Sequence, residues 1–221
     1  MKKRLFKRTA LPFILAVVLL FGSCIGISFD IQMNRDGSGR VTIEYRISNM
    51  LNALGRLDGN ESKPTIPYAR QDLERTLARI PGTRLVSYTT RETSTDTIIS
   101  AVVDFSNPDA LASFLNSNSD NVSVTYNGQA GSLGLIVHNE QTDDSTADTM
   151  ALMSQFFDGY NFSVSFSAPG NSTMTVTDGQ GNTIPAPSNA VSIMSGRKVS
   201  LSMGIFDLLN ITGGLGLKFN W

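Results

Sequence analysis

Short runs that alternate between apolar and polar side chains recur along the chain from residue 25 onward. In the first run the apolar members are Ile25, Ile27, Phe29, Ile31 and Met33, and polar residues or glycine separate them. A period of two places successive side chains on opposite faces of a β-strand, so this run predicts a strand with one buried face. Further runs predict strands at residues 41–47, 83–90, 97–105, 122–126, 132–138, 160–167, 174–176, 199–203 and 215–221. The polar partners are mostly Ser, Thr and Asn, as expected of antiparallel sheets that turn one face to solvent.

Between these strands, several segments space their apolar residues by three or four positions, which predicts amphipathic helices. They lie at residues 50–57, 69–80, 107–115 and 150–157, and a short helix is also expected at residues 205–211. The clearest helix start is Asn107-Pro108-Asp109, which offers an N-cap, a proline at the first helical position and an early acid. The sequence therefore predicts an α+β fold of antiparallel sheets with short amphipathic helices. We divide it into an α+β unit at residues 24–120 and a β-rich unit at residues 121–221, packed together as one globular body.

Residues 1–23 have the pattern of a secretory signal peptide. Five basic residues lie within the first eight positions, and an uncharged, mostly apolar stretch follows up to Ser23. That stretch is shorter than the roughly 20 apolar residues that a membrane-spanning helix needs. Its end, Gly22-Ser23-Cys24, is similar to the lipobox of bacterial lipoproteins, in which the cysteine thiol receives diacylglycerol before cleavage. We therefore expect Cys24, which is the chain's only cysteine, to be lipidated and to anchor the protein in a membrane. The alternative is an ordinary signal peptide that happens to precede a cysteine.

Composition argues against several other classes of function. Without residues 1–23 the chain has 13 basic and 19 acidic residues, whereas a nucleic-acid-binding protein needs a basic surface to contact phosphates. One cysteine and one histidine argue against a multi-thiolate or histidine-rich metal site. We therefore predict no nucleic-acid partner, no metal and no cofactor.

Two local patterns suggest chemistry but have simpler interpretations. Asn34, Asp36 and Ser38 place oxygen atoms at alternate positions, as a calcium loop does, but the twelfth position is Tyr45 and not a glutamate. A hairpin turn is the favoured interpretation. His138 ends a predicted strand and could belong to a hydrolase, but it is more simply a surface residue. We predict that the protein is not an enzyme.

A run of methionine and phenylalanine residues precedes the strand predicted at residues 160–167. In a helix these side chains form a broad apolar arc, and thioethers and aromatic rings adapt to ligands of varied shape. The helix and the apolar face of the following strand should meet. They either pack directly as core or line a pocket for a hydrophobic ligand such as an acyl chain. The candidate lining residues are Met150, Met153, Phe157, Phe162, Val164 and Phe166.

The order of these features resembles the LppM family of bacterial envelope lipoproteins. The shared features are the lipobox, an opening strand that leads through an Asp-Gly turn into a second strand, a helix–strand–strand middle, a Gly-rich hairpin turn and a closing Trp221. Uncharacterised spirochaete lipoproteins that end in tryptophan are similar as well. The resemblance implies a location in the cell envelope, periplasmic or at the cell surface, and a role with lipids. It implies no catalytic residues.

The sequence thus predicts a lipid-anchored bacterial envelope lipoprotein with a non-catalytic α+β domain. That domain is expected to bind a hydrophobic ligand or another envelope component, such as a protein partner. An outer-membrane β-barrel is the alternative, because Leu215, Leu217, Phe219 and the terminal Trp221 resemble the closing strand of such barrels. The amphipathic helices disfavour it, since a barrel of about 200 residues has little room for them.

Overall fold

The computed structural model describes residues 25–49, 69–117, 122–126, 130–137, 154, 157–178, 180–211 and 213–221. Within these residues the chain forms eleven strands and three helices. The strands are β1 Ile25–Met33, β2 Gly39–Ser48, β3 Thr83–Glu92, β4 Asp96–Phe105, β5 Val122–Tyr126, β6 Gly131–Val137, β7 Asn161–Ser167, β8 Thr173–Thr177, β9 Val191–Ser195, β10 Lys198–Gly204 and β11 Leu215–Asn220. The helices are α1 Arg70–Leu77, α2 Pro108–Leu115 and α3 Ile205–Leu209. The predicted α+β fold of mostly antiparallel sheets with short helices is confirmed.

Seven strands form a large sheet in the order β3-β4-β2-β1-β7-β10-β9. Neighbouring strands are antiparallel except β1 and β7, which run parallel with Ile27 opposite Phe162. Strands β1 to β4 come from the first predicted unit, whereas β7, β9 and β10 come from the second. The two units therefore contribute to one sheet, and the boundary predicted near residue 120 stays a prediction.

The large sheet buries one of its faces, which we call the inner face. On β2, Val41, Ile43, Tyr45 and Ile47 are at most 8% exposed, and the residues between them are exposed or half-buried. Strands β7 and β10 repeat this alternation, with apolar residues inside and mostly serine outside. Because the strands pair in register, their apolar side chains form one continuous inner face.

Four strands form a second, small sheet in the order β5-β6-β11-β8. Its interior strand β11 carries Leu215, Leu217 and Phe219, which are at most 1% exposed, as the alternation predicted. The ring of Phe219 packs against that of Phe166 on β7, with ring centroids 5.5 Å apart. The apolar faces of the two sheets therefore share one core.

Helix α2 begins where its sequence signal predicted. The side-chain oxygen of Asn107 accepts a hydrogen bond of 2.8 Å from the backbone N–H of Ala110, and Pro108 is the first helical residue. Leu111 and Phe114 of this helix are buried. Helix α1 likewise buries two leucines of its predicted apolar stripe. Both helices thus form because a short apolar stripe can join the core.

The connection between β1 and β2 is a tight turn. The carboxylate of Asp36 accepts hydrogen bonds from the backbone N–H and the hydroxyl of Ser38, at 3.0 and 2.6 Å. The amide of Asn34 donates to the same hydroxyl at 3.1 Å. Gly37 has φ +81°, a conformation that favours glycine. The polar groups of this turn bond to one another, and the described part of the chain holds no cluster of three or more His, Cys, Asp or Glu residues suited to a metal ion.

Several sequence predictions fall outside the described residues, namely Cys24 with the preceding leader, the helix at residues 50–57, and His138. Of the helix predicted at residues 150–157, only Ser154 and Phe157 are described, and both are helical. The short helix expected at residues 205–211 forms as α3. Strand β9 and the parallel pairing of β1 with β7 were not predicted.

Candidate functional site

Strand β7 carries three of the six residues predicted to line a ligand site. Phe162, Val164 and Phe166 are 5%, 0% and 0% exposed and point to the inner face. Phe157, which is 3% exposed, joins the same core, and its carbonyl accepts a hydrogen bond of 3.0 Å from the backbone N–H of Tyr160. The other two candidates, Met150 and Met153, lie outside the described residues. The structure thus places four of the six residues in one core, and the ligand pocket itself stays a prediction.

The two ends of the inner face of β7 have different neighbours. At the far end, the ring of Phe166 lies 4.9 Å from that of Trp221, in addition to its contact with Phe219. This contact was not predictable from local sequence patterns, because β11 lies about fifty positions further along the chain. At the near end, the backbone N–H of Ile205 in α3 donates to the carbonyl of Tyr160 at 2.9 Å. We call the end of β7 next to Trp221 the Phe166 end and the end next to α3 the Phe162 end.

The position of Cys24 relates the predicted lipid to this geometry. Strand β1 begins at Ile25, the next residue, and Ile27 lies opposite Phe162 in the parallel pair. No residue separates Cys24 from the first strand of the large sheet. A lipid on Cys24 would therefore attach at the Phe162 end and not at the Phe166 end.

An ionic cluster around a buried carboxylate lies at the same end of the large sheet. The carboxylate of Asp96, 2% exposed, accepts hydrogen bonds from the guanidinium of Arg46 at 2.8 and 3.0 Å. The hydroxyl groups of Thr95 and Tyr160 both donate to this carboxylate at 2.6 Å. The Arg46 guanidinium also lies 5.6 Å from the centre of the Tyr160 ring, a cation–π distance. The cluster was not identified from the sequence. Its one sequence signal is that β2 and β4 each carry a charged residue, Arg46 and Asp96, on the same face of the sheet.

The cluster keeps Asp96 ionised. Burial alone would raise the pKa of Asp96, but hydrogen bonds from Thr95, Tyr160 and Arg46 outweigh burial and hold the pKa below its ordinary value. Protonation of Asp96 would weaken these hydrogen bonds, because a neutral carboxyl group is a poorer acceptor than a carboxylate. The cluster therefore stabilises the fold only while Asp96 is charged.

We expect Asp96→Asn to destabilise the protein near pH 7 by about 1–3 kcal/mol, because the charge-assisted bonds are lost. The pKa of Asp96 is lower in the folded chain than in the unfolded chain. The difference in unfolding free energy between the variant and the parent should therefore be largest above the unfolded pKa of about 3.9, and it should shrink as the pH falls through the folded pKa. Urea unfolding of both chains at pH 7 and pH 3 measures it. Asp158→Asn, at an exposed position, should show no such difference. An Asp96→Asn deficit that is equal at both pH values would contradict the assignment.

The outer face of the large sheet is polar along β1 and β7. The hydroxyl of Ser163 donates to that of Ser28 at 2.9 Å, and the hydroxyl of Ser165 donates to Asp30 at 2.8 Å. A groove of about 410 Å³ lies near the turn between β1 and β2, and it is lined by Gln32, Asn34, Ser38, Gly39, Arg40, Asp104 and Phe105. Because this lining is polar apart from one ring, the groove does not match the hydrophobic ligand that the sequence predicts. The inner face remains the better candidate.

No protein-family model and no curated protein matches the sequence. Among solved structures, the chain is similar to the folded domain of LppM from Mycobacterium tuberculosis, determined by NMR. The similarity covers 89% of each chain, with a TM-score of 0.50 and 13% sequence identity. Of the helices in the described residues, none has both the length and the apolar character needed to cross a membrane. The comparison supports the resemblance noted in the sequence at the level of the fold: the chain has an LppM-like fold.

Proposed function

We propose that the protein is a lipid-anchored component of the bacterial cell envelope whose domain binds a hydrophobic ligand, or another envelope component, without catalysing a reaction. The observation that carries the proposal is the LppM-like fold, together with the lipobox pattern that ends at Cys24. The fold is compatible with a non-catalytic envelope protein. The lipid anchor rests on the lipobox pattern, and the hydrophobic ligand rests on the apolar candidate lining.

The position of Cys24 supports a functional relation between anchor and ligand site. Because β1 follows Cys24 directly, a lipidated chain would hold the Phe162 end of the sheet at the membrane surface. The candidate lining at Phe157 and Phe162 lies at that end. An acyl chain that leaves the bilayer would then have only a short path to the apolar core. We propose that the site takes a membrane lipid by this route.

The anchor is tested by replacing its thiol. Cys24→Ser should leave the chain without a lipid label and as an uncleaved precursor, since a serine hydroxyl does not replace the thiol as lipid acceptor. Growth with a labelled fatty acid, followed by gel analysis, measures this. A chain with Ser123→Ala, at an exposed position in β5, should retain the label. Label retained by Cys24→Ser would rule out the lipobox.

The ligand site is tested by filling it. Met153→Trp should remove co-purified lipid from the full chain while leaving its unfolding midpoint unchanged, because the larger ring would occupy the space of the ligand. Native mass spectrometry and lipid extraction of the detergent-purified chain measure the bound lipid. If the two faces instead pack directly, the same substitution should overfill the core and cost about 1–3 kcal/mol of stability.

A matched substitution at the other end of the inner face separates these results. Met33 is 3% exposed and lies at the end of β1 remote from Cys24. Met33→Trp should destabilise the chain by about 1–3 kcal/mol and leave the lipid content of the folded fraction unchanged. Absence of lipid from the parent chain, combined with equal destabilisation by both substitutions, would show that the face is core and would refute the ligand part of the proposal.

A further inference from the structure

The two edges of the large sheet differ in how they are protected from other strands. Among the described residues, β3 and β9 each have a neighbouring strand on one side only. Strand β3 carries the charged residues Arg84, Arg91 and Glu92, and its pairing is interrupted by a register shift between Leu85 and Ser87. Charges and bulges are the usual means by which an edge strand avoids pairing with another chain. Strand β9, with the sequence Val-Ser-Ile-Met-Ser, has no charge, no proline and no register shift.

Strand β9 also exposes large apolar side chains on both of its faces. Val191, Ile193 and Met194 are 63%, 56% and 66% exposed. In the described part of the chain only Val86 and Leu209 are other large apolar residues of this kind, at 43% and 38%. Three of five such residues therefore lie in one five-residue strand. An uncharged apolar edge of this sort is a template for strand addition.

We propose that β9 pairs antiparallel with β9 of a second copy of the chain, so that two large sheets join across a two-fold axis at Ile193. Antiparallel pairing about this axis places Val191 opposite Ser195 of the second copy and Ser192 opposite Met194. A large side chain thus meets a small one at every position except the axis itself. No like charges meet along the strand, since it has none.

Charges beyond the ends of β9 favour the same occupant. Beyond Ser195 the chain turns through Arg197, which is exposed and whose guanidinium donates to the carbonyl of Ala168 at 2.9 Å. Before Val191, the side chain of Asn189 donates to the carboxylate of Asp207 at 3.0 Å. In the proposed register, the turn at Arg197 lies beside the segment that precedes Val191 in the other copy, where Asn189 contacts Asp207. Each end of the strand pair thus brings together segments of opposite charge, an arrangement that a second copy supplies twice.

Cysteine cross-linking in membranes from cells that make the full chain tests the register. Residues directly opposite in an antiparallel pair have Cα atoms about 4.5–5.5 Å apart, within disulfide range. Under a mild oxidant, Ile193→Cys should therefore form a disulfide-linked dimer. Val191→Cys lies on the same face and is equally exposed, but its two copies would be separated by about 13 Å along the strands. It should give at least about tenfold less dimer. The parent chain, with Cys24 alone, sets the background.

A double variant provides a positive control for this register. Val191→Cys combined with Ser195→Cys should restore the dimer, although each alone should not, because these positions oppose each other across the axis. Adding Ile193→Lys to the double variant should reduce the dimer at least about tenfold, because two lysines would meet at the axis. Val86→Lys on the other edge should leave it unchanged. Circular dichroism should show the same fold in all variants, since the substituted side chains are exposed.

Three outcomes would overturn the proposal. These are no dimer from Ile193→Cys above the parent background, equal dimer from Val191→Cys and Ile193→Cys, and a cross-link from Ile193→Cys to a protein of different mass. The second would indicate apolar contact without strand pairing, and the third would identify a different partner strand. The lipidation of Cys24 and the lipid content of the chain are measured by the separate experiments described above, so failure here leaves the proposed function untouched.

Discussion

Removal of residues 215–221 is expected to abolish cooperative folding of the domain. These residues form β11, the strand between β6 and β8, and its Leu215, Leu217 and Phe219 are almost fully buried. Burial of each such side chain contributes about 1.5–3 kcal/mol. Three of them together approach the whole stability of a typical domain, about 5–15 kcal/mol. Near-ultraviolet circular dichroism and urea unfolding of the truncated chain measure the effect.

Lys218→Ala is the matched control for this truncation. Lys218 lies in the same strand but is exposed on its opposite face, so its replacement should change stability by less than about 0.5 kcal/mol. A truncated chain that unfolds cooperatively at the parent's urea midpoint would show that the small sheet does not need β11. Such a result would contradict the packing of Phe219 between the two sheets.

The second large effect is expected at Phe166. Its side chain is 0% exposed and lies between the two sheets, in contact with the rings of Phe219 and Trp221. Phe166→Ala should destabilise the chain by about 3–5 kcal/mol, because burial and ring contacts are lost and a cavity remains. Phe206→Ala, at a half-buried ring of α3, should cost clearly less.

A double-mutant cycle identifies the contact responsible. If the rings of Phe166 and Phe219 interact directly, the two alanine substitutions should show a coupling energy of about 0.5–1.5 kcal/mol. Full additivity would indicate that each ring acts only through its own burial. Chemical unfolding of the parent, the two single variants and the double variant gives the four free energies needed.

Those features that depend on neighbouring residues were predictable from the sequence. The alternation of Phe162, Val164 and Phe166 with serine is confirmed as a strand with one buried face. The cap at Asn107 correctly marks the start of α2. Each of these signals occupies fewer than ten positions, and the physical cause of each, a two-residue repeat or a helix cap, is local.

Features that join distant residues were not predictable in this way. Tyr160 and Asp96 are 64 positions apart, and Arg46 and Asp96 are 50 apart, so no local spacing reveals that they form a cluster. The contacts of Phe166 with Phe219 and Trp221 were missed for the same reason. Strand β9 was missed because it has five residues and apolar side chains on both faces, which obscures the period of two. The four described candidate lining residues lie in the core, whereas a ligand pocket, which would also involve Met150 and Met153, stays a prediction.

The parallel pairing of β1 with β7 has a consequence for how the chain reaches its native state. The hydroxyls of Ser28 and Ser163, which bond across this pair, are 135 positions apart. A ribosome adds about 5–20 residues per second, so one edge of β1 waits on the order of ten seconds for its partner after it has been made. Contacts of such high sequence separation also slow folding itself. During that interval the nascent β1–β2 hairpin presents an open edge next to the site proposed for membrane attachment. We therefore expect its early folding to depend on a holding chaperone or on the translocation machinery, whichever the chain meets first.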